Sequence, residues 1–175
     1  MLRQILTYGA VAGLIVGVPM FAMTLTVGHL PMPWGMVVGY LVMLIALSAV
    51  FLGVKRRRDR DLGGVIRFWP ALGMGLAISL VASILYVLSW EAATAISGLD
   101  FAAEYGETML AQKRAEGASA AELAEMSAEL QAWSVQYQNP LFRLPMTFSE
   151  IFPVGVLVSL ITAALLRNSR FMPAR

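Results

Sequence analysis

The sequence predicts an all-α, polytopic membrane protein: four transmembrane helices, with a periplasmic helical hairpin between the third and the fourth. Three observations predict it. The 175 residues are 58% hydrophobic and only 14% charged, with a mean hydropathy of +0.70, whereas a soluble domain has about 25% charged residues. Four uncharged runs are each long enough, or nearly so, to cross a hydrocarbon core about 30 Å thick. Finally, the basic residues are partitioned: of the 13 lysines and arginines, only Lys113, Arg114 and Arg143 lie outside the segments assigned to one side of the membrane.

The first run, about residues 5–27, follows Arg3 and carries no charge. It is longer than the 7 to about 15 residues of a signal-peptide core, and no A-x-A cleavage site follows, so it is expected to be a retained span. Gly9, Gly13 and Gly17 recur at four-residue spacing, which lines up one bare face for close approach of another helix. That face suits packing within the chain or a dimer. Pro19 removes one backbone donor and should bend the helix. His29 to Pro33 reads as a tight turn.

The second run, about 34–54, opens at Trp34, where an interfacial aromatic anchors a span. It ends in Lys55, Arg56, Arg57, Arg58, Asp59, Arg60 and Asp61. Lys and Arg near span ends are retained in the cytoplasm, so this run orients the whole chain, and the same charges suit anionic lipid headgroups. Residues 55–67 are expected to form a loop, broken by Gly63 and Gly64. The third run, about 68–90, opens with Trp69 and Pro70 and closes with Tyr86 and Trp90. Aromatics at both ends match the two interfacial belts.

Residues 91–146 are acidic, and 98–140 are expected to hold helices, since so long a structureless insertion is unusual. Asp100 can cap a helix to about Glu116 with Phe101, Tyr105, Met109 and Gln112 on one side. Gly117 stops it. Ser119 and Glu122 have capping-box spacing, and Leu123, Met126, Leu130, Trp133 and Tyr137 then form an amphipathic stripe. The stripe suits a hairpin folded on itself or on the membrane face, or docking of a partner, since interface cores favour Trp, Tyr and Met.

The fourth run, about 148–166, has its uncharged part from Ile151 to Leu166, roughly 24 Å at 1.5 Å per residue. That draws Glu150 toward the outer edge of the hydrocarbon, where a carboxylate by default suggests function. Pro153 and Gly155 make the backbone beside it irregular. His29, Tyr40, Tyr86, Trp90 and Glu91 fall in the same outer half. With Glu150 they could line a polar site, for which Arg143 or a protonated His29 is the available countercharge. Arg167, Arg170 and Arg175 close the chain on the side of the basic run, so both termini are cytoplasmic in a single domain spanning residues 1–175.

Several chemistries are excluded. There is no cysteine and one histidine, which rules out thiolate and His-cluster metal sites; neither metal nor cofactor is expected. A sequence pI of 9.2 reflects the positive-inside rule rather than nucleic-acid binding. Gly73 and Gly75 lack the remainder of a dinucleotide-binding loop, and Ser149 has no nucleophile-elbow context, so no enzyme is expected.

Gly39, Tyr40, Met43, Ser48, Phe51, Gly53, Lys55, Arg58, Asp59, Phe68, Ala71, Leu72, Gly75, Tyr86, Trp90, Glu150, Pro153, Val154 and Gly155 together resemble the bacterial membrane family catalogued as domain of unknown function forty-one ninety-nine. The resemblance implies four spans in a bacterial inner membrane and no assigned activity. The expected role is a non-enzymatic scaffold or accessory subunit working through helix contacts, with membrane lipids and either a homo-oligomer or a membrane partner protein. The competing expectation is a small transporter or channel with a polar site near the outer face.

Overall fold

The structure is a computed structural model describing residues 1–26 and 34–173. Its helices are α1 (Leu2–Thr26), α2 (Trp34–Asp61), α3 (Phe68–Ser97), α4 (Phe101–Ala115), α5 (Ala120–Tyr137) and α6 (Pro140–Leu166). No strand occurs among the described residues, and the fold class is the one the sequence predicts. Four helices, α1, α2, α3 and α6, are long and apolar enough to cross a membrane. The chain forms two compact units: Met1–Ala93 with the residues from Phe148 onward, and Thr94–Thr147. The turn expected at His29 to Pro33 lies outside the described residues.

Two boundaries differ from the sequence reading. The basic run is not a loop, because α2 continues through it to Asp61. Lys and Arg are good helix formers, and ion pairs at four-residue spacing, Lys55 with Asp59 and Arg57 with Asp61, brace the last turns. The break comes at Gly63 and Gly64, whose φ values of 65° and 89° few other residues adopt. Likewise α6 starts at Pro140 rather than near 148. Asn139 caps it by accepting the Leu141 N–H at 3.0 Å, and Pro140 sits at the first helical position, where its missing donor costs nothing. Pro145 and Pro153 then lie within α6, since each removes one donor without ending the helix.

Contacts within the first unit fix an up-and-down order. Gln4 Nε2 donates to Asp61 at 3.0 Å, joining the start of α1 to the end of α2. Gly9, Gly13 and Gly17 of α1 face Val81, Leu85 and Ser89 of α3 in ascending order, so these two helices are parallel. Gly75 and Ser79 of α3 face Ser159 and Gly155 of α6 in descending order, so these two are antiparallel. The start of α1, the end of α2, the start of α3 and the end of α6 therefore share one end, the arginine end.

Helix α3 is the centre of this unit, with eleven buried residues from Ala71 to Ala93. Between helices in lipid there is no hydrophobic drive, so adhesion rests on close van der Waals contact and buried hydrogen bonds. Small residues supply both. A Cβ built on Gly9 would fall 2.6 Å from Val81 Cβ, and one on Gly13 2.6 Å from Leu85 Cβ. The glycine stripe of α1 is thus filled from inside the chain. On the other side of α3, the Gly155 carbonyl accepts from Ser79 Oγ at 3.2 Å and Ser159 Oγ at 2.7 Å, and both serines are fully buried. Outward-facing positions are large and apolar, with Leu14, Ile45, Leu88 and Leu157 all more than half exposed. That pattern suits an acyl-chain solvent.

In the second unit, α4 and α5 form a hairpin by aqueous rules. Asp100 caps α4 by accepting the Ala103 N–H at 3.1 Å. Gly117, with φ 87°, ends it, and the N–H groups of Gly117 and Ala118 return to the carbonyls of Arg114 and Lys113. The capping box forms: Ser119 Oγ accepts from the Glu122 N–H, and Glu122 accepts from the Ser119 N–H at 2.8 Å. The Ser119 backbone and hydroxyl donors hold the Glu122 carboxyl below the usual carboxylate range. The stripe on α5 turns inward. Tyr105 meets Trp133 at 5.6 Å, Trp133 meets Tyr137 at 5.0 Å and Tyr137 meets Phe101 at 5.7 Å between ring centroids. Gln112, expected on that side, is exposed because it lies past the last ring contact.

Gly13→Leu is expected to cost about 1–3 kcal/mol by overpacking and to lower the melting temperature in detergent. Gly73→Leu, where a built Cβ meets nothing within 4 Å, serves as the control. Equal melting of the two variants would mean that the α1–α3 approach does not form.

Candidate functional site

Two elements position a polar pair in the first unit. Tyr86 lies on α3 two turns beyond Ser79, and Glu150 lies on α6 five residues before Gly155, so the antiparallel seam through Ser79 and Gly155 brings them together. Tyr86 Oη donates to Glu150 Oε2 at 3.0 Å. Tyr86 is buried, 8% exposed, while Glu150 keeps part of its surface exposed. Glu150 is sixteen residues from the end of α6 at Leu166, about 24 Å from the arginine end at 1.5 Å per residue. By the same measure Tyr86 is eighteen residues from the start of α3, about 27 Å along. Both therefore sit at similar heights along the bundle, far from the arginine end.

The other residues singled out from sequence are placed as follows. Trp90, one turn beyond Tyr86, and Glu91 are partly buried on α3. Tyr40 is 50% exposed on α2. His29 lies outside the described residues. Arg143 belongs to the second unit, where its guanidinium sits 5.9 Å from the centre of the Tyr137 ring and donates to the Tyr137 carbonyl at 3.4 Å. There it borders a small cleft of about 210 Å³ with Thr94, Asp100, Phe101, Tyr137 and Gln138. Of these residues the structure brings Tyr86 and Glu150 into hydrogen-bond contact. Among the described residues no group of three or more His, Cys, Asp or Glu is arranged to hold a metal ion.

At the arginine end the basic run divides. Arg56 and Arg60 are exposed, as are Arg67, Arg167 and Arg170 from neighbouring segments. Lys55 and Arg57 are paired with Asp59 and Asp61. Arg58 is different: its side chain is fully buried. Nε donates to Asp59 Oδ1 at 2.6 Å, Nη1 to the Phe171 carbonyl at 2.9 Å and Nη2 to the Met172 carbonyl. Placed among headgroup-binding residues by its neighbours in sequence, it is turned inward instead, because three acceptors satisfy it there. Burying a guanidinium is tolerated only with such pairing. Nothing in the sequence distinguishes it from Arg56 or Arg57, apart from an apolar Phe171 and Met172 following Arg167 and Arg170.

What the fold and site define is a class: all-α proteins with four apolar helices of membrane-spanning length, packed by small residues and carrying a tyrosine–carboxylate pair toward one end. Within it, the chain belongs to the family described as "Protein of unknown function (DUF4199)", whose model matches residues 7–168. No curated protein and no solved structure matches the chain.

The Tyr86 hydroxyl and Glu150 carboxylate are expected to be energetically coupled. Tyr86→Phe, Glu150→Gln and the double variant, unfolded in detergent, should give a coupling of about 0.6 to 1.7 kcal/mol, the range for polar contacts between membrane helices. Strict additivity would show that the two side chains do not interact.

Proposed function

We propose that this protein resides in the bacterial inner membrane with both termini cytoplasmic and the α4–α5 hairpin periplasmic, where it serves as a non-enzymatic scaffold or accessory subunit. Its partner is a second copy or another membrane protein. The exposed Arg56, Arg60, Arg67, Arg167 and Arg170 support the orientation, since basic residues at span ends stay cytoplasmic; their position at helix ends also argues against nucleic acid. One observation carries the scaffold reading: Glu150, a residue with exposed surface, has its carboxylate held by the buried Tyr86 hydroxyl. A charged group facing hydrocarbon is costly, and a polar side chain on a neighbouring helix relieves that cost. The small residues of α1, α3 and α6 are occupied inside the chain, so the contact would use the large apolar outer faces around Glu150. A photocrosslinker at the exposed Leu157, two turns from Glu150 on α6, is expected to capture one defined protein, self or other, in intact membranes. Adducts with lipid alone, together with a monomer on mild extraction, would overturn the scaffold.

A second reading rests on the same pair. A small transporter or channel would use Glu150 near the outer face to bind a proton, cation or amphiphile, with Tyr86 holding the carboxylate in place. Proton and cation flux in proteoliposomes would then fall several-fold in Glu150→Gln. Identical flux in the two proteins removes this reading.

A further inference from the structure

We propose that Arg167 to Pro173 forms a releasable strap across the arginine end, and that a phosphate-type anion opens it by taking Arg58 from the strap's carbonyls. The strap follows the last turn of α6 and returns to α2. Among the described residues its docking includes the carbonyls of Phe171 and Met172 on the Arg58 guanidinium and the Phe171 ring, which packs on the core and lies edge-on to Phe51 at 6.4 Å.

Asp59 serves two cations at once, Lys55 and Arg58, so this group of three carries one positive charge more than it can neutralise, with Arg58 fully buried. Among the described residues, the two Nη groups donate to the neutral carbonyls of Phe171 and Met172. Charge-assisted bonds are roughly twice as strong as neutral ones, and the guanidinium fork matches two oxygens of a phosphate. An anion therefore outcompetes the carbonyls for Arg58, and what opposes it is the tethering of the strap and the Phe171 contact. The strap is also held under some backbone cost: Met172 has φ 47°, in the left-handed region that non-glycine residues seldom occupy. Arg56, Arg60, Arg67, Arg167 and Arg170 lie exposed in the same segments and raise the local concentration of anions. The proposal does not depend on the scaffold reading. Its ligand is a phosphate group, whether from an anionic lipid headgroup or free in solution.

The test uses the full chain in nanodiscs. Because the sequence has no cysteine, Ser169→Cys carries a single nitroxide on the exposed side of the strap. In phosphatidylcholine with sodium chloride the probe should be immobile. Replacing part of that lipid with phosphatidylglycerol, or adding inorganic phosphate at matched ionic strength, should raise the mobile fraction several-fold. A response to the lipid alone identifies a headgroup, and one to inorganic phosphate alone identifies a free anion; either supports the proposal, as do both. In Arg58→Met the probe should be mobile in every arm. Phe171→Ala should retain the response at lower anion concentration, which keeps the test open should Arg58→Met fail to fold. A wild-type probe with equal mobility in all arms, a response that chloride reproduces, or an immobile probe in Arg58→Met would overturn the proposal.

Discussion

Helices in a bilayer gain nothing from hiding apolar surface from one another, because lipid tails are as apolar as leucine. The first unit depends on how it meets this constraint: α3 is approached closely on two sides by helices that bear glycine. On one side Gly9, Gly13 and Gly17 let α1 reach Val81, Leu85 and Ser89; on the other, Gly75 and Gly155 let α3 and α6 interlock through Ser79 and Ser159. Close approach multiplies dispersion contacts that are individually small. It also lets serine hydroxyls reach carbonyls that would otherwise lack a second partner. The position of Tyr86 against Glu150 follows from the register of this seam.

The hairpin is held together by a different rule. Its helices are short and need caps, a Schellman ending and a paired aromatic face to hold together in water. The four rings of Phe101, Tyr105, Trp133 and Tyr137 supply that face. The stripe on α5 is therefore occupied by α4, and docking through it would require the hairpin to open. The chain thus joins one unit whose interior is small and whose outside is large and apolar to another with the ordinary arrangement.

At the arginine end, seven consecutive charged residues divide into three jobs. Arg56 and Arg60 are exposed, Lys55 and Arg57 extend α2 by ion pairs, and Arg58 holds the chain beyond α6. The division follows from the helix itself. Once α2 runs on through the charges, its turn carries Arg58 to the chain beyond α6, where the Phe171 and Met172 carbonyls accept from it.

The sequence by itself determined the class of fold, the four apolar helices and the caps of the hairpin, because run length, charge placement and cap chemistry are local properties. It also marked Glu150, since a carboxylate beside a long apolar run is conspicuous wherever its neighbours fall. It misplaced the ends of α2 and α6. Helix propensity and i,i+4 pairing carried α2 past the basic boundary, and Asn139 with Pro140 started α6 before its prolines. Only the tertiary structure chose Tyr86 from the aromatics offered to Glu150, turned the glycines of α1 toward α3 and put Arg58 inside. Each of those choices depends on helix rotation and register between segments far apart in the chain, which residue spacing within one helix does not encode.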